Sequence, residues 1–258
     1  MCEPGFYVNP TGKREPLTVS LVRARIWFDF VRHRPIRMTT DSVESHEVDR
    51  LSETDVERIT RETYDRIAVP YCSRTNTGRM RPRILVAEDA FERLLRRRSK
   101  ILILGAGDGR DAELFIDRGH RCVLLDYSLP MLALAGKRVP LGIRILADIR
   151  ELPFSSESFD AVWASACLYH LRHCSLPTVL SQIHELLRLD GYFYCNLRTG
   201  TGEYLDPAPR SFPEGGPRFY AFYSCSQIAP LFAAFQLIRV LDQDEVLGRD
   251  YLQVWSQK

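Results

Sequence analysis

Nowhere in this chain of 258 residues does an apolar run reach the length needed to cross a bilayer. The opening stretch, Met1 to Pro16, holds prolines, a glycine and acidic residues in place of a basic segment followed by an apolar one, so no secretory signal is expected. No pair among the seven cysteines has C-x-x-C spacing, which removes the usual signs of a zinc site or a redox pair. An odd cysteine count without a leader points to a reducing, cytoplasmic setting. Charge of one sign is also lacking: 35 basic against 33 acidic side chains leave a net charge of +2. That balance gives no reason to expect nucleic acid or an anionic membrane as the main partner. The chain has no internal repeat and no low-complexity tract. It does have ordinary globular content, with 45% hydrophobic and 26% charged residues, enough for a core of normal size.

The pattern divides the chain into an N-terminal extension, residues 1–52, and one domain, residues 53–258. The extension contains Pro4, Pro10, Pro16 and Pro35. Its piece Leu17 to Val31 is apolar and basic but holds no single helical stripe, so it reads as a partly ordered extension or a lid. Asp41 to Asp55 reads as a linker or the start of a helix. From Glu53 the periodicity sharpens. Val56, Ile59, Tyr64 and Ile67 predict a helix ending before Pro70, and Leu85 to Arg98 predicts a second. The cations Arg93, Arg96, Arg97, Arg98 and Lys100 suit the C-terminal end of that helix.

Strands and helices then alternate. Strands are expected at Ile101–Leu104, Cys122–Leu125, Ile143–Leu146, Ala161–Ser165, Tyr192–Leu197, Leu237–Leu241 and Tyr251–Trp255. Helices are expected at Asp111–Arg118, Pro130–Lys137, Leu176–Leu189 and Ser224–Phe235. Such alternation predicts a parallel sheet covered on both faces. The connection Asp242–Gly248 is too short for a crossover helix, so the last strand should run antiparallel. The fold class is therefore α/β: a Rossmann-like, seven-stranded, mostly parallel sheet with a C-terminal antiparallel strand.

The strongest motif is Ile101-Leu102-Ile103-Leu104-Gly105-Ala106-Gly107-Asp108-Gly109-Arg110-Asp111, a buried strand running into a glycine turn and a helix. Glycine permits φ > 0 and a close ligand approach. A dinucleotide fingerprint would want glycine where Arg110 stands, which disfavours a pyrophosphate and with it an NAD(P) oxidoreductase. Asp126 ends the second strand, where a carboxylate can accept from both ribose hydroxyls. Asp148 follows the third strand and can accept from an adenine amino group, with the Ile149 backbone at the ring edge. In open α/β sheets ligands bind beyond the carboxyl ends of the strands, so these three points can line one crevice.

On these residues the chain resembles the class I S-adenosylmethionine-dependent methyltransferases of the methyltransferase-domain type. The resemblance covers roughly Glu53 to Lys258. Its carriers are Leu104-Gly105-Ala106-Gly107-Asp108-Gly109, Leu125-Asp126-Tyr127-Ser128, Ala147-Asp148-Ile149 and Phe159-Asp160-Ala161-Val162-Trp163-Ala164. Tyr64-Asp65-Arg66-Ile67-Ala68 resembles the lid helix that precedes the domain in many relatives. The chain departs from the family at Ile103, where an acid is common, at Ala106, where Cys or Ser is common, and at Arg188-Leu189-Asp190-Gly191, where Lys-Pro-Gly-Gly is usual. What the resemblance implies is S-adenosyl-L-methionine as cofactor and no metal. It also implies cofactor contacts from Tyr64, Gly105, Ala106, Gly107, Gly109, Asp126, Tyr127, Met131, Asp148, Ile149, Arg150, Ala164 and Ser165.

Methyl transfer is an in-line displacement in which the protein mainly aligns the nucleophile. Candidate acceptor-side residues follow the fourth strand and lie in the insert Asn196 to Tyr220. His170 can be a general base, or a histidine bonding the backbone between layers. Tyr169 stands beside it. Arg198 and Arg218 can clamp a carboxylate or phosphate, and Glu203 can orient an amine. Surface solvation is the rival reading for each of the last three. The expected function is methylation of an oxygen or nitrogen on a small molecule. Methylation of RNA or a peptide, and cofactor binding without catalysis, remain alternatives. The acceptor, the oligomeric state and the role of the first fifty residues are not set by the sequence.

Overall fold

The computed structural model describes residues 6–8, 14–16, 51–77, 80–209, 212, 215–242 and 251–258. The apolar and basic piece Leu17–Val31, the arginines between 23 and 37, the stretch 41–50 and the connection 243–248 lie outside the described residues. Contacts divide the chain into Met1–Arg50 and Leu51–Lys258. In the first unit, β1 (Phe6–Val8) pairs antiparallel with β2 (Arg14–Pro16).

The second unit opens with α1 (Glu53–Thr77) and α2 (Met80–Glu92). The alternating part follows: β3 (Lys100–Leu104), α3 (Arg110–Asp117), β4 (Arg121–Asp126), α4 (Leu129–Arg138), β5 (Ile143–Leu146) and β6 (Phe159–Ala164). A short 3-10 turn, Leu168–His170, leads to α5 (Leu176–Leu186) and β7 (Leu187–Thr199). The chain continues through β8 (Glu203–Asp206), β9 (Arg218–Tyr223), α6 (Cys225–Leu231), β10 (Gln236–Asp242) and β11 (Tyr251–Gln257).

The strands lie in the order β10-β11-β7-β6-β3-β4-β5. Pairs β7-β6, β6-β3, β3-β4 and β4-β5 are parallel, and β11 runs antiparallel to both neighbours. This is the expected seven-stranded, mostly parallel architecture. Burial on both faces explains the unbroken apolar runs. Ile101 and Ile103 face one side, Leu102 and Leu104 the other, and all four are buried. On one face Phe91, Phe115, Trp163 and Tyr194 build an aromatic core, with Trp163 stacked on Tyr194 at 4.0 Å between centroids. On the other, Phe193 packs against Phe232 and Phe235.

Several element boundaries differ from expectation, among them the start of α2 at Met80 rather than Leu85 and the end of α6 at Leu231 rather than Phe235. Helix α1 does not stop before Pro70 but runs on to Thr77. An interior proline costs about 3 kcal/mol or more in a helix. Here Pro70 sits on the exposed face, while Ala68 and Cys72 on the other face are buried against Met131 of α4. Helix α2 ends at Glu92, not Arg98; the arginine run forms a turn in which Arg98 takes φ 60°. Helix α5 ends at Leu186, three residues early, because β7 already begins at Leu187. The Asp190-Gly191 turn, with Asp190 at φ 63°, lies inside β7.

The insert after β7 is more ordered than a loop rich in Gly and Pro suggests. Strands β8 and β9 pair antiparallel, and the end of β9 joins β7 in parallel at Arg198 and Thr199. The same insert is bolted to α1. Thr63 Oγ1 donates to the Pro217 carbonyl at 2.6 Å, Arg66 donates to the Gly215 carbonyl at 2.7 Å, and the Phe219 N–H donates to Thr60 Oγ1 at 3.2 Å. Lid helix and insert thus cover the carboxyl edge of the sheet together.

Candidate functional site

That edge carries a cleft of about 1130 Å³, part of it open to solvent. Its floor is the bend after β3. Gly107 has φ 54°, and a Cβ built on it would meet nothing within 4 Å. The backbone is therefore bare where the cleft begins. Gly105, φ 59°, instead backs onto Cys167. Gly109 caps α3 and packs against Ala135 and Val139, so it shapes the bend from behind rather than lining the cleft.

Asp126, only 5% exposed, turns into the bend. One carboxylate oxygen accepts from the Gly107 N–H at 2.8 Å, the other from the Ser128 N–H at 2.9 Å. Burial pushes this carboxyl up to about 6. The backbone donors work against that push, and the nearby Asp65 adds to it. Each oxygen keeps lone-pair capacity for a further donor, which is what a vicinal diol requires. Ser128 caps α4 through Met131 N–H and donates its own hydroxyl to Asp65 of α1 at 2.6 Å, so the lid is tied to the edge of β4.

Asp148 also lines the cleft, but it is not free. Its Oδ2 accepts from the Arg150 guanidinium at 2.6 and 2.9 Å, and Oδ1 from the Arg150 N–H. Any adenine amino group must share this carboxylate with Arg150, itself drawn toward Glu57 of α1. Tyr127, Met131, Ile149 and Ser165 complete the expected wall, with Ala106 and Tyr64. Ala164 is wholly buried in β6 and does not reach the cleft.

At the far wall, Tyr64 Oη and His170 Nε2 are 3.0 Å apart, and His170 Nδ1 is 2.6 Å from the Phe219 carbonyl. A carbonyl only accepts, so Nδ1 carries the proton and Nε2 takes the Tyr64 hydroxyl hydrogen. Burial, with Arg218 and Arg198 adding to it, pushes the imidazole down to about 3, against the pull of the carbonyl. The ring is therefore neutral and fully bonded.

The remaining acceptor-side candidates stand behind this wall rather than in the cleft. Tyr169 is buried beside His170. The Arg198 guanidinium lies 4.9 to 5.7 Å from the ring centres of Tyr251, Tyr220 and Tyr169. Arg218, 3% exposed, lies over Tyr64 and Phe212. Glu203 accepts from Arg172 at 2.9 Å and from the His173 N–H at 2.6 Å, joining the insert to the segment after β6. Sequence reading found Tyr64 but missed the rest of the inner stripe of α1, where Glu53, Val56, Glu57 and Thr60 face the cleft at helical spacing with it. It also missed the sulfur pair Cys72 and Met131, at 3.7 Å. Among the described residues no group of three or more His, Cys, Asp or Glu can hold a metal, and no helix is long and apolar enough to cross a membrane.

Comparison with known proteins agrees with this geometry. Residues 102–195, from β3 to β7, match the methyltransferase-domain family. A malonyl-[acyl-carrier protein] O-methyltransferase of Salmonella typhimurium is 34% identical over 106 residues, 40% of this chain and 41% of its own. A demethylmenaquinone methyltransferase of Renibacterium salmoninarum is 35% identical over 118 residues, 46% of this chain and 44% of its own. The chain thus spans about half or less of the length of the curated relatives it matches. In fold it is similar to the 1,6-didemethyltoxoflavin-N1-methyltransferase of Burkholderia thailandensis, solved with that acceptor and S-adenosylhomocysteine. The TM-score is 0.62 at 23% identity, over 81% of this chain and 91% of that one.

Proposed function

We propose that this chain, which carries a class I S-adenosylmethionine-dependent methyltransferase domain, transfers the cofactor's methyl group to an oxygen or nitrogen of a small molecule. The observation that carries the reading is the Asp126 carboxylate held at the bare Gly107 backbone, in a cleft that continues to Tyr64 and His170. S-adenosylmethionine fits these groups. Asp126 takes the ribose diol, Asp148 and the Ile149 backbone meet the adenine edge, and the open side of Gly107 leaves room for the chain that follows. The cofactor supplies an electrophilic methyl on a sulfonium, so the protein's task is alignment and the exclusion of water.

A small acceptor is favoured because α1 and the insert roof the cleft through three hydrogen bonds between Thr60, Thr63, Arg66 and residues 215–219. The arginine-rich turn after α2, the kind of basic cluster that contacts nucleic acid, lies outside the cleft lining. The names of the relatives do not choose the atom, since one is an O-methyltransferase and the structural neighbour an N1-methyltransferase.

The bonding of His170 narrows the acceptor. A ring whose nitrogens both serve Tyr64 and Phe219 positions the tyrosine; it does not take a proton from the acceptor. The acceptor therefore brings its own lone pair, as an ionised oxygen or an unprotonated nitrogen. His170→Ala should lower kcat about tenfold or more by freeing Tyr64, within the range of lost positioning. It should leave the pH dependence of kcat between pH 5 and 8 unchanged, because the ring is already neutral there. Loss of an ionisation from the profile would restore the base role.

The whole reading is tested by calorimetry with S-adenosylhomocysteine and by transfer of labelled methyl to a panel of small acids, phenols, amines and heteroaromatics, with RNA and peptides alongside. Binding of NADH in place of S-adenosylhomocysteine, or label appearing in RNA or peptide alone, would overturn it.

A further inference from the structure

Asn196 lies in β7 and is only 3% exposed, so its amide must find partners inside the protein. Side chains alternate along a strand, which puts Asn196 on the same face as Tyr194 and Ser165 on the same face as Trp163. Trp163 and Tyr194 stack, and one step further along the same face Asn196 meets Ser165. Asn196 Oδ1 accepts from the Ala166 N–H at 2.7 Å. An N–H only donates, so the amide cannot be turned round. Its Nδ2 therefore faces Ser165 and donates to Oγ at 3.4 Å. The serine oxygen is thus an acceptor toward the sheet, and its hydrogen points elsewhere. Among the described residues nothing accepts that hydrogen, and Ser165 lines the cleft.

The turn that carries this hydroxyl is held from two sides. Ala166 takes φ 61°, a backbone that residues with a side chain rarely adopt, and its N–H is the one bonded to Asn196. Cys167, the next residue, backs onto Gly105. Strand order places the turn in the cleft. Asp126 ends β4 and Asp148 follows β5, both on one side of β3. Ser165 follows β6 and Asn196 belongs to β7, on the other side of β3. An adenosyl group held by the two acids leaves the β6 side, where Ser165 and His170 stand, to the acceptor. Both ring nitrogens of His170 are already bonded. Ser165 supplies the polar hydrogen that His170 does not.

We propose that the Ser165 hydroxyl donates its hydrogen bond to the methyl acceptor, not to the cofactor, and that Asn196 is the positioning residue that aims it. This rests on the reading of the cleft as a site for S-adenosylmethionine. A hydroxyl committed to donating selects an acceptor with a hydrogen-bond-accepting oxygen at or beside the reacting atom. An ionised acid or phenol meets that demand, and so does a nitrogen next to a carbonyl. The bond holds the reacting lone pair in line with the methyl–sulfur bond, which is the alignment the reaction needs.

Calorimetry with S-adenosylhomocysteine and transfer of labelled methyl to the acceptor panel, both on the full chain, separate the parts of this claim. Acceptors that bear the accepting oxygen should be methylated, and plain amines should not. Ser165→Ala should leave affinity for S-adenosylhomocysteine within about twofold of wild type. It should lower kcat/KM for the acceptor about ten- to a hundredfold, the range for a hydrogen bond to a charged group. Ser165→Thr keeps the hydroxyl and should recover most of that loss. Asn196→Asp keeps an oxygen for the Ala166 N–H but draws the serine hydrogen toward the new carboxylate. It should match the Ser165→Ala loss with S-adenosylhomocysteine still bound, a separation that a loosened turn would not give. If Asn196→Asp does not fold, the two serine variants decide the role of the hydroxyl by themselves. An unchanged rate in Ser165→Ala, equal losses of cofactor affinity and turnover, or a plain amine as the best acceptor overturns the proposal. Full activity in Asn196→Asp removes the positioning role. A wild-type chain that binds S-adenosylhomocysteine but methylates nothing in the panel overturns the acceptor claim alone. One that binds no S-adenosylhomocysteine overturns the cofactor reading and the proposal with it.

Discussion

Gly105→Ala is expected to destabilise the domain by about 2–5 kcal/mol and to abolish cofactor binding at ordinary concentrations. The range adds the cost of overpacking a filled site to that of a left-handed side-chain-bearing residue. A Cβ at this position would stand 2.4 Å from the Cys167 Cβ and 3.1 Å from its Sγ, on a backbone with φ 59°. The obstacle is the root of the cysteine side chain, which no rotamer change can move. Either the segment after β6 shifts or the bend after β3 does, and both shape the cleft. The cysteine also approaches the Leu104 carbonyl at 3.3 Å, so the two loops are in direct contact. Adding Cys167→Gly should restore most of the overpacking loss but not the part due to φ. A double-mutant cycle on denaturation midpoints reads this as a coupling of about 1–3 kcal/mol. Additive effects would show that the two loops do not meet in solution as they do here.

The parts of this site that were legible in the sequence are those set by short-range geometry. A run of four apolar residues ending in alternating glycines can hardly be anything but a strand entering a tight bend. An acid at the end of the next strand then lies at the same sheet edge by topology alone. Gly107 and Asp126 accordingly meet at 2.8 Å. The antiparallel course of β11 was readable too, since residues 243–248 are too few for a crossover.

What was not legible depends on partners distant in the chain. Nothing local says that α1 continues through Pro70, because the reason lies in Met131, some sixty residues on. Asp148 reads as available until Arg150, two residues later, is seen to fold back on it. Glu203, Arg198 and Arg218 are polar residues in a loop rich in glycine, and the pattern leaves them between acceptor contacts and surface solvation. In the structure Glu203 ties the insert to Arg172, and both arginines are surrounded by aromatic rings. His170 stood open between base and structural bond. The Phe219 carbonyl that engages its Nδ1 comes from 49 residues further on, where no motif marks it.

The second large effect concerns Asp126 and pH. Its carboxyl is raised from 3.8 to about 6 in the folded chain, chiefly by burial. The folded state thus holds the proton more tightly than the unfolded state does. For a raised pKa the stabilising contribution is complete below about pH 4. It is lost as pH rises toward 6 and stays lost above that. Two pKa units correspond to about 3 kcal/mol at most. Cofactor binding has the opposite sign, because ribose hydroxyls donate to the ionised form. Affinity for S-adenosylhomocysteine should therefore rise with pH up to about 6 and level off, with close to one proton released per ligand bound at pH 5. Calorimetry in buffers of different ionisation enthalpy measures that proton directly. Asp126→Asn should remove the proton release and flatten the stability slope between pH 4 and 6. It should also weaken binding at pH 7 by about 2–3 kcal/mol, the worth of hydrogen bonds to a charged group. The amide offers one acceptor where the carboxylate offers two, so either Gly107 or Ser128 also loses its partner. Proton release that persists in the variant would move the ionising group elsewhere in the cleft, and an unchanged affinity would remove Asp126 from the ribose.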